Sequence, residues 1–184
     1  MKNILRYLLL SLVVLGFTIP VFGKVEAAKI VILPLANSVE DDELSGQIFF
    51  NECMDYFKFP EFDMVDDVVL DKALKEENYA VVGKNGPDEA MLKRIMAKTG
   101  ADMALMMSLD ELSLEPTHMG MREDYYTLIQ KCRTMFVNGL TGKVTVHRVN
   151  DEDMIEYAVI VRSDYMHDQF RNTVIRELKK VAKI

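Results

Sequence analysis

The sequence predicts a single α/β domain over residues 28–184, with a mixed β-sheet and helices packed on it. Three observations predict this class. Short β-branched apolar runs alternate with amphipathic segments in the first half, which is typical of strands joined by helices. A nearly continuous apolar run follows, as in a strand covered on both faces. Two alternating runs joined by a glycine-bearing link then indicate a hairpin. The expected order is β-α-β-α-α-β, then a β-meander and a C-terminal helix.

The first strand is predicted at Lys29–Leu35, with Pro34 near its end because proline cannot donate to a sheet ladder. Asp41 or Asp42 follows as a helix cap, and nearby acids suit the positive end of the helix dipole. The helix is expected to run to about Phe57. Its spacing predicts one apolar face, formed by Phe49, Phe50, Cys53 and Phe57.

A second strand is predicted at Phe62–Val65, followed by a helix that Asp66 or Asp67 caps and that runs to about Glu77. Leu70, Ala73 and Leu74 are its inward residues. Pro87 is compatible with the first turn of a third helix. That helix should end at Gly100, since glycine is favoured just beyond a helix C-terminus.

The run from Ala101 to Leu109 is predicted to be the central strand. Side chains alternate between the faces of a strand. We therefore expect Met103, Leu105 and Met107 on one face, and Ala104 and Met106 on the other. Beyond this run, apolar and polar residues alternate around Leu112 and Leu114, which indicates a strand with one wet face.

Strands are predicted at residues 122–137 and 143–149, joined by the link Asn138–Gly142. The acidic run Asp151–Asp153 is interpreted as a turn, and Met154–Val161 as a further strand. The closing helix carries one apolar stripe, formed by Phe170, Val174, Leu178 and Val181.

Residues 1–27 have the layout of a cleaved secretory signal peptide. Lys2 and Arg6 precede an uncharged stretch over residues 7–22, and small or modest residues at positions 25 and 27 suit cleavage before Ala28. The alternative is a retained anchor, but the apolar run is shorter than the roughly 20 residues that cross a bilayer as a helix. The first cysteine is Cys53, so no lipid anchor is expected. The sequence therefore predicts an extracytoplasmic protein, periplasmic or secreted, with no stable membrane span after processing.

The formal net charge of the whole chain is −7, and removing residues 1–27 makes it more negative because most of the charges lost are basic. Such a surface repels a phosphate backbone, so nucleic acid is not expected as a partner. Cys53 and Cys132 both lie in the exported part. They are interpreted either as a disulfide or as small buried apolar residues.

No catalytic, cofactor-binding or metal-binding residues are predicted. His118, His147 and His167 match no metal-ligand spacing. His167 and Asp168 are compatible with an acid–base pair, but Asp168 also suits the start of the last helix. The chain lacks a nucleophile elbow, a phosphate loop and a dinucleotide fingerprint. These absences favour a non-enzymatic protein, and a small hydrolase or ligand-binding protein with a site assembled only in space is the alternative.

Four segments resemble a known exported domain: Lys29–Asn37, Phe62–Val65, Thr99–Asp102 and Val137–Val144. Together they are similar to the α/β domain of the curli-secretion channel lipoprotein and of the amino-terminal part of the Tol-system propeller protein. The resemblance covers most of residues 29–165. It implies a domain that assembles or docks with envelope proteins and has no enzyme activity. The chain lacks that group's lipid-anchoring cysteine, membrane-spanning hairpin and propeller, and no binding residue carries over.

The functional hypothesis is a protein-interaction or assembly module whose partner is an envelope protein or another copy of the chain. Long hairpins leave unpaired backbone groups that another strand can complete. The predicted interaction edge consists of Cys132, Thr134, Phe136, Asn138, Gly139 and Gly142. The alternative, that the domain's own helices cover both faces of this hairpin, stays open.

Overall fold

The computed structural model describes residues 27–79, 86–119, 122–156 and 165–181. Six strands and four helices lie in these ranges. Their order is β1 Ala28–Ile32, β2 Ala36–Asn37, α1 Glu43–Tyr56, β3 Phe62–Met64, α2 Asp67–Glu76, α3 Glu89–Thr99, β4 Met103–Met119, β5 Arg122–Asn138, β6 Lys143–Glu156 and α4 Tyr165–Val181. The predicted signal peptide lies outside the described residues, except for its last position. None of the described helices is long and apolar enough to cross a membrane.

The strands form one mixed sheet in the order β3-β1-β4-β5-β6, and β2 also pairs with β4. The first half is parallel, with Ile30 opposite Met103 in the β1–β4 pair. The second half, β4-β5-β6, is an antiparallel meander. The predicted class, a mixed sheet with packed helices, a meander and a C-terminal helix, is therefore confirmed.

Strand β4 separates two apolar layers. Leu105 and Met107 belong to a cluster with α1 and α4, and Met103 packs at its margin. Ala104 and Met106 belong to a second cluster with α2 and α3. This is the predicted division of the central strand. The stripe predicted for the last helix is also confirmed, since all four of its residues are buried in the first cluster: Phe170, Val174, Leu178 and Val181.

A β-bulge at Asp110 keeps the apolar side of β4 continuous. Leu109 pairs with Cys132, whereas Glu111 pairs with Lys131, so one extra residue sits on β4. An extra residue reverses the alternation of side chains. Leu112 therefore lies on the same face as Leu109, and both are buried in the cluster under α1 and α4.

Three helices have an aspartate as their N-cap. Asp42 accepts a hydrogen bond from the Ser45 backbone N–H at 3.1 Å, and Asp66 caps α2 in the same way. The N-cap of α3 is Asp88, so Pro87 lies just before the helix and not in its first turn. That helix ends at Gly100, whose φ of +66° is the left-handed conformation that glycine adopts most easily.

One residue of the predicted apolar face of α1, Phe50, is not buried in the core. Phe49, Cys53 and Phe57 are buried, but Phe50 is 49% exposed. Adjacent helical residues are about 100° apart. A helix that buries Phe49 fully therefore turns Phe50 away from the core.

The predicted turn at Asp151–Asp153 is wrong, because these residues continue β6 without a break. Acidic side chains are tolerated in a strand at the edge of a sheet, where they reach solvent or a partner. Asp151 meets Arg176 of α4, while Glu152 and Asp153 are exposed. Of the further strand predicted at Met154–Val161, the first three residues belong to β6 and residues 157–161 lie outside the described part.

Cys53 and Cys132 are both free and buried. Burial raises the pKa of both thiols, that of Cys132 to about 12. The structure therefore supports the interpretation of each cysteine as a small buried apolar residue and not as half of a disulfide.

Candidate functional site

The residues of the predicted interaction edge do not all lie on an edge strand of the described sheet. Cys132, Thr134 and Phe136 lie on β5, which pairs with β4 on one side and β6 on the other. All three are buried against α1 and α4 or against the neighbouring strands. Their placement at a free edge is therefore wrong, because the second strand of the β5–β6 hairpin, not the first, ends the described sheet.

The other three predicted residues shape the hairpin turn. Asn138 Oδ1 accepts a hydrogen bond from the Thr141 N–H at 3.0 Å. The Gly139 N–H donates to the Asp102 carbonyl at 2.8 Å, and a side chain at Gly139 would collide with that carbonyl. Gly142 has a φ of +71°. These contacts give the turn residues a structural role.

The free edge of the described sheet is β6. No described strand pairs with the outer side of its 14 residues. The opposite edge, β3, is only three residues long. A long strand with unpaired backbone groups is a ready template for another strand. Strand β6 is therefore the candidate interaction site among the described residues.

One face of β6 is fixed to the body of the domain. Val149 and Ile155 are buried in the apolar cluster. Between them, Asp151 Oδ2 accepts a hydrogen bond from Arg176 Nη2 at 2.8 Å. Near the start of the strand, His147 contacts Glu177 of α4. Burial in the apolar cluster and polar contacts with α4 thus hold the strand in place over much of its length.

The opposite face of β6 is open. It carries a row of five exposed side chains: Val146, Arg148, Asn150, Glu152 and Met154. Two of them are large apolar groups, Val146 at 46% exposure and Met154 at 52%. Edge strands usually carry charges that discourage pairing. Here the charges stand between two exposed apolar residues.

The charges along β6 are separated by sign. Its first half carries Lys143 and Arg148 together with His147, and no acid. Its second half carries no base, and its acids are Asp151, Glu152, Asp153 and Glu156. Apart from Asp151, which pairs with Arg176, these acids are exposed. This separation of charge is visible in the sequence, and it is the sequence feature that could have indicated the edge strand.

His167 does not contact Asp168, its predicted acid–base partner. His167 Nε2 lies 3.0 Å from Asp42 Oδ1, and Asp168 is near Arg171 instead. His147 contacts Glu177, and His118 lies on β4 with its side chain outside the described set. The described residues include no group of three or more metal-ligating side chains.

The contact with His167 affects the pKa of Asp42. Burial alone would raise the pKa of this carboxyl. Hydrogen bonds from Ser45, His167 and Asn37 outweigh burial and hold the pKa below its ordinary value. The arrangement stabilises a carboxylate at the junction of α1 and α4, which is a structural role.

A second feature is a cleft of about 800 Å³ between α1 and α2, over the end of β1. Its apolar lining includes Leu33, Leu35 and Phe50. Three carboxylates also line it, Glu43, Asp67 and Asp71, and the first two lie in the first turns of α1 and α2. Small-molecule sites are typically clefts of about 300–1,000 Å³ with an apolar lining and a few polar groups.

No protein-family model matches the chain, and no curated protein matches it either. Among solved structures, the lipoprotein GNA1162 from Neisseria meningitidis is similar at 12% identity and a TM-score of 0.46, over 85% of this chain and 99% of that chain. The hypothetical protein CT253 from Chlamydia trachomatis is similar at 9% identity and a TM-score of 0.48, over 83% and 95%. The rare lipoprotein B from Shewanella oneidensis is similar at 10% identity and a TM-score of 0.41, over 84% and 91%.

Two of these three structures are bacterial lipoproteins. At these identities and TM-scores the similarity carries no argument about binding or activity. The matches do not confirm the curli-secretion and Tol domains as relatives.

Proposed function

We propose that this chain is an exported envelope module without enzymatic activity, and that it binds a protein partner through the outer side of β6. One observation carries the proposal: the 14-residue edge has no described partner strand and exposes Val146 and Met154 on one face. An added strand would satisfy the unpaired backbone groups, and the apolar side chains would gain burial.

The attachment of β6 to α4 favours this function. Asp151 and His147 hold the strand to Arg176 and Glu177 of the helix. A strand that is already ordered loses less conformational entropy when a partner binds. The edge is thus presented in the conformation that strand addition needs.

The envelope location in this proposal rests on the sequence. The signal layout of residues 1–27 predicts export and cleavage before Ala28. Sequencing the N-terminus of the protein recovered from its host should give a start near Ala28. An intact Met1 on a cytoplasmic protein would contradict export.

Site-specific photo-crosslinking in the native host tests the interaction. A photoreactive residue at position 146 or 154 should give a crosslinked protein product. The matched control is position 68, because Val68 is 77% exposed and lies on helix α2, not on β6. Products from the edge positions, absent from the control, support the proposal. Equal products at all three positions, or none, would overturn it.

A second candidate function is ligand binding in the cleft between α1 and α2. Its apolar lining and its three carboxylates, Glu43, Asp67 and Asp71, favour a small molecule with an apolar body and a positive group. Native mass spectrometry of protein isolated from its host should then show a bound ligand. F50D, which places a charge in the lining, should remove the ligand and leave edge crosslinking unchanged. A parent protein with no bound ligand contradicts this candidate.

A further inference from the structure

We infer that the strand added to β6 is β6 of a second copy of this chain, antiparallel to the first, with a twofold axis through Asn150. This inference rests on the proposed function and names its partner.

The separation of charge along β6 fits a second copy. In an antiparallel pair the basic first half of one strand lies beside the acidic second half of the other, and the twofold axis repeats the match. A parallel pair would place like charges together, which is destabilising. Lys143 and Arg148 define the basic half, and Glu152, Asp153 and Glu156 are the exposed acids of the other half.

The side chains select one register. Residues directly opposite each other in a sheet point to the same face. With Asn150 on the axis, Val146 lies opposite Met154 of the second copy, and Arg148 lies opposite Glu152. All five side chains belong to the exposed row of β6. The two large exposed apolar groups of the strand therefore cover each other, and the charged pair lies between them and the axis.

The other face agrees with the same register. His147 lies opposite Asp153 of the second copy, and Asp153 is exposed. Moving the axis to Val149 is less favourable. That register places Val146 opposite Glu152 and Arg148 opposite Asn150, so both the apolar and the charged pair are lost.

The helices leave room for the second copy. Helices α3 and α4 pack against β4 and β5 on opposite faces of the sheet, and not chiefly against β6. A helix over the middle of β4–β5 and its copy would be four strand spacings apart, about 19 Å. Packed helices need only about 8–10 Å between their axes. The two copies can therefore join into a continuous sheet without moving any of the described helices.

Cysteine crosslinking of the purified chain, residues 28–184, tests the register. Opposite residues on antiparallel strands have Cα atoms about 4.5–5.5 Å apart, within the range for a disulfide. N150C should therefore form a covalent dimer under mild oxidation. V146C is the matched control, because its copy would be about 27 Å away along the strand. V146C mixed with M154C should crosslink, although neither variant crosslinks alone. The native thiols of Cys53 and Cys132 are buried and give little background.

A charge exchange tests the same contact without cysteine. R148E places two acids opposite each other and E152R places two bases, each at two positions of the dimer. Each variant should weaken dimerisation by roughly tenfold. The double variant R148E/E152R restores opposite charges and should recover most of the parent's affinity. Sedimentation equilibrium measures the dissociation constant of each.

The outcomes separate this inference from the proposed function. A dimer that N150C traps and that the double variant restores supports self-pairing. A monomer at all concentrations, with no N150C crosslink, overturns it. If that monomer still gives edge-specific photo-crosslinks to a different protein in its host, the proposed function stands and only the partner is wrong. If edge crosslinks are missing too, both fail.

Discussion

His147 Nδ1 lies 3.1 Å from Glu177 Oε2, and this contact joins the edge strand to a carboxylate that is fully buried. Lys180 Nζ donates to the other oxygen of Glu177 at 2.6 Å. Buried carboxylates are costly unless they are paired. Glu177 therefore depends on groups that reach it from β6 and from its own helix.

Glu177→Gln should destabilise the domain by about 1–3 kcal/mol, because it replaces charge-assisted hydrogen bonds with weaker ones and leaves the buried amide poorly paired. Urea unfolding measures the change in the free energy of unfolding. Lys179→Gln is the control on the same helix, since Lys179 is exposed and its replacement should cost under about 0.5 kcal/mol. Equal effects of the two substitutions would contradict a special role for Glu177.

Asp42→Ala should lower the free energy of unfolding by about 1–2 kcal/mol, since it removes the cap of α1. Asp42→Asn should cost less at neutral pH, because asparagine is also a good cap. Thermal or urea unfolding of both variants measures these losses.

The pH dependence of Asp42 has a definite sign. Its pKa is lower in the folded state than its ordinary value of 3.8. The carboxylate's stabilisation is therefore fully present well above pH 3.8 and is lost as pH falls through the folded pKa. The stability gap between the parent and Asp42→Asn should narrow on acidification from pH 6 to pH 3. A gap that stays constant over this range would contradict the assignment.

Leu105→Asp should unfold the domain. Leu105 is fully buried on the central strand, and an unpaired charge there costs more than about 4 kcal/mol. Val68→Asp is the control, because Val68 is on the surface. Circular dichroism melting should show a folded control and no cooperative transition for Leu105→Asp. A Leu105→Asp variant that melts like the parent would contradict the position of β4 in the core.

The two thiols should be unreactive in the folded protein. Burial raises the pKa of Cys132 to about 12, and that of Cys53 is also raised, so little thiolate exists near neutral pH. A thiol-reactive dye should label neither in native buffer and both in denaturant. Rapid labelling of the native state at either cysteine would show that its segment opens.

The sequence predicts the fold where local patterns and burial agree. The division of residues 103–107 between two faces, the stripe on α4 and the acidic caps of α1 and α2 all follow from spacing and local hydrogen bonding. The exposure of Phe50 does not follow from spacing alone, because two adjacent phenylalanines on a helix cannot both face the core of the domain. Only the packing of the other elements decides which one does.

The position of the edge could not be predicted from the hairpin alone. The sequence indicates two strands joined at Asn138–Gly142, but not which of them pairs with β4. The acids at Asp151–Asp153 resemble a turn, whereas the structure uses them in an edge strand, one of them against Arg176. Arg176 lies on α4, so the correct interpretation needs a tertiary contact that a local sequence pattern does not contain.

Asp102 has a consequence for the order of folding. Its N–H donates to the Lys29 carbonyl, its side chain accepts from the Lys29 N–H, and its carbonyl accepts from Gly139. Lys29 and Asp102 are 73 residues apart, so the parallel half of the sheet carries a large loop-closure entropy. The meander closes through short connections. We therefore expect β4-β5-β6 to form an early nucleus on which β1 docks late. Substitutions in β1 should then mainly accelerate unfolding, and substitutions in the meander should mainly slow folding.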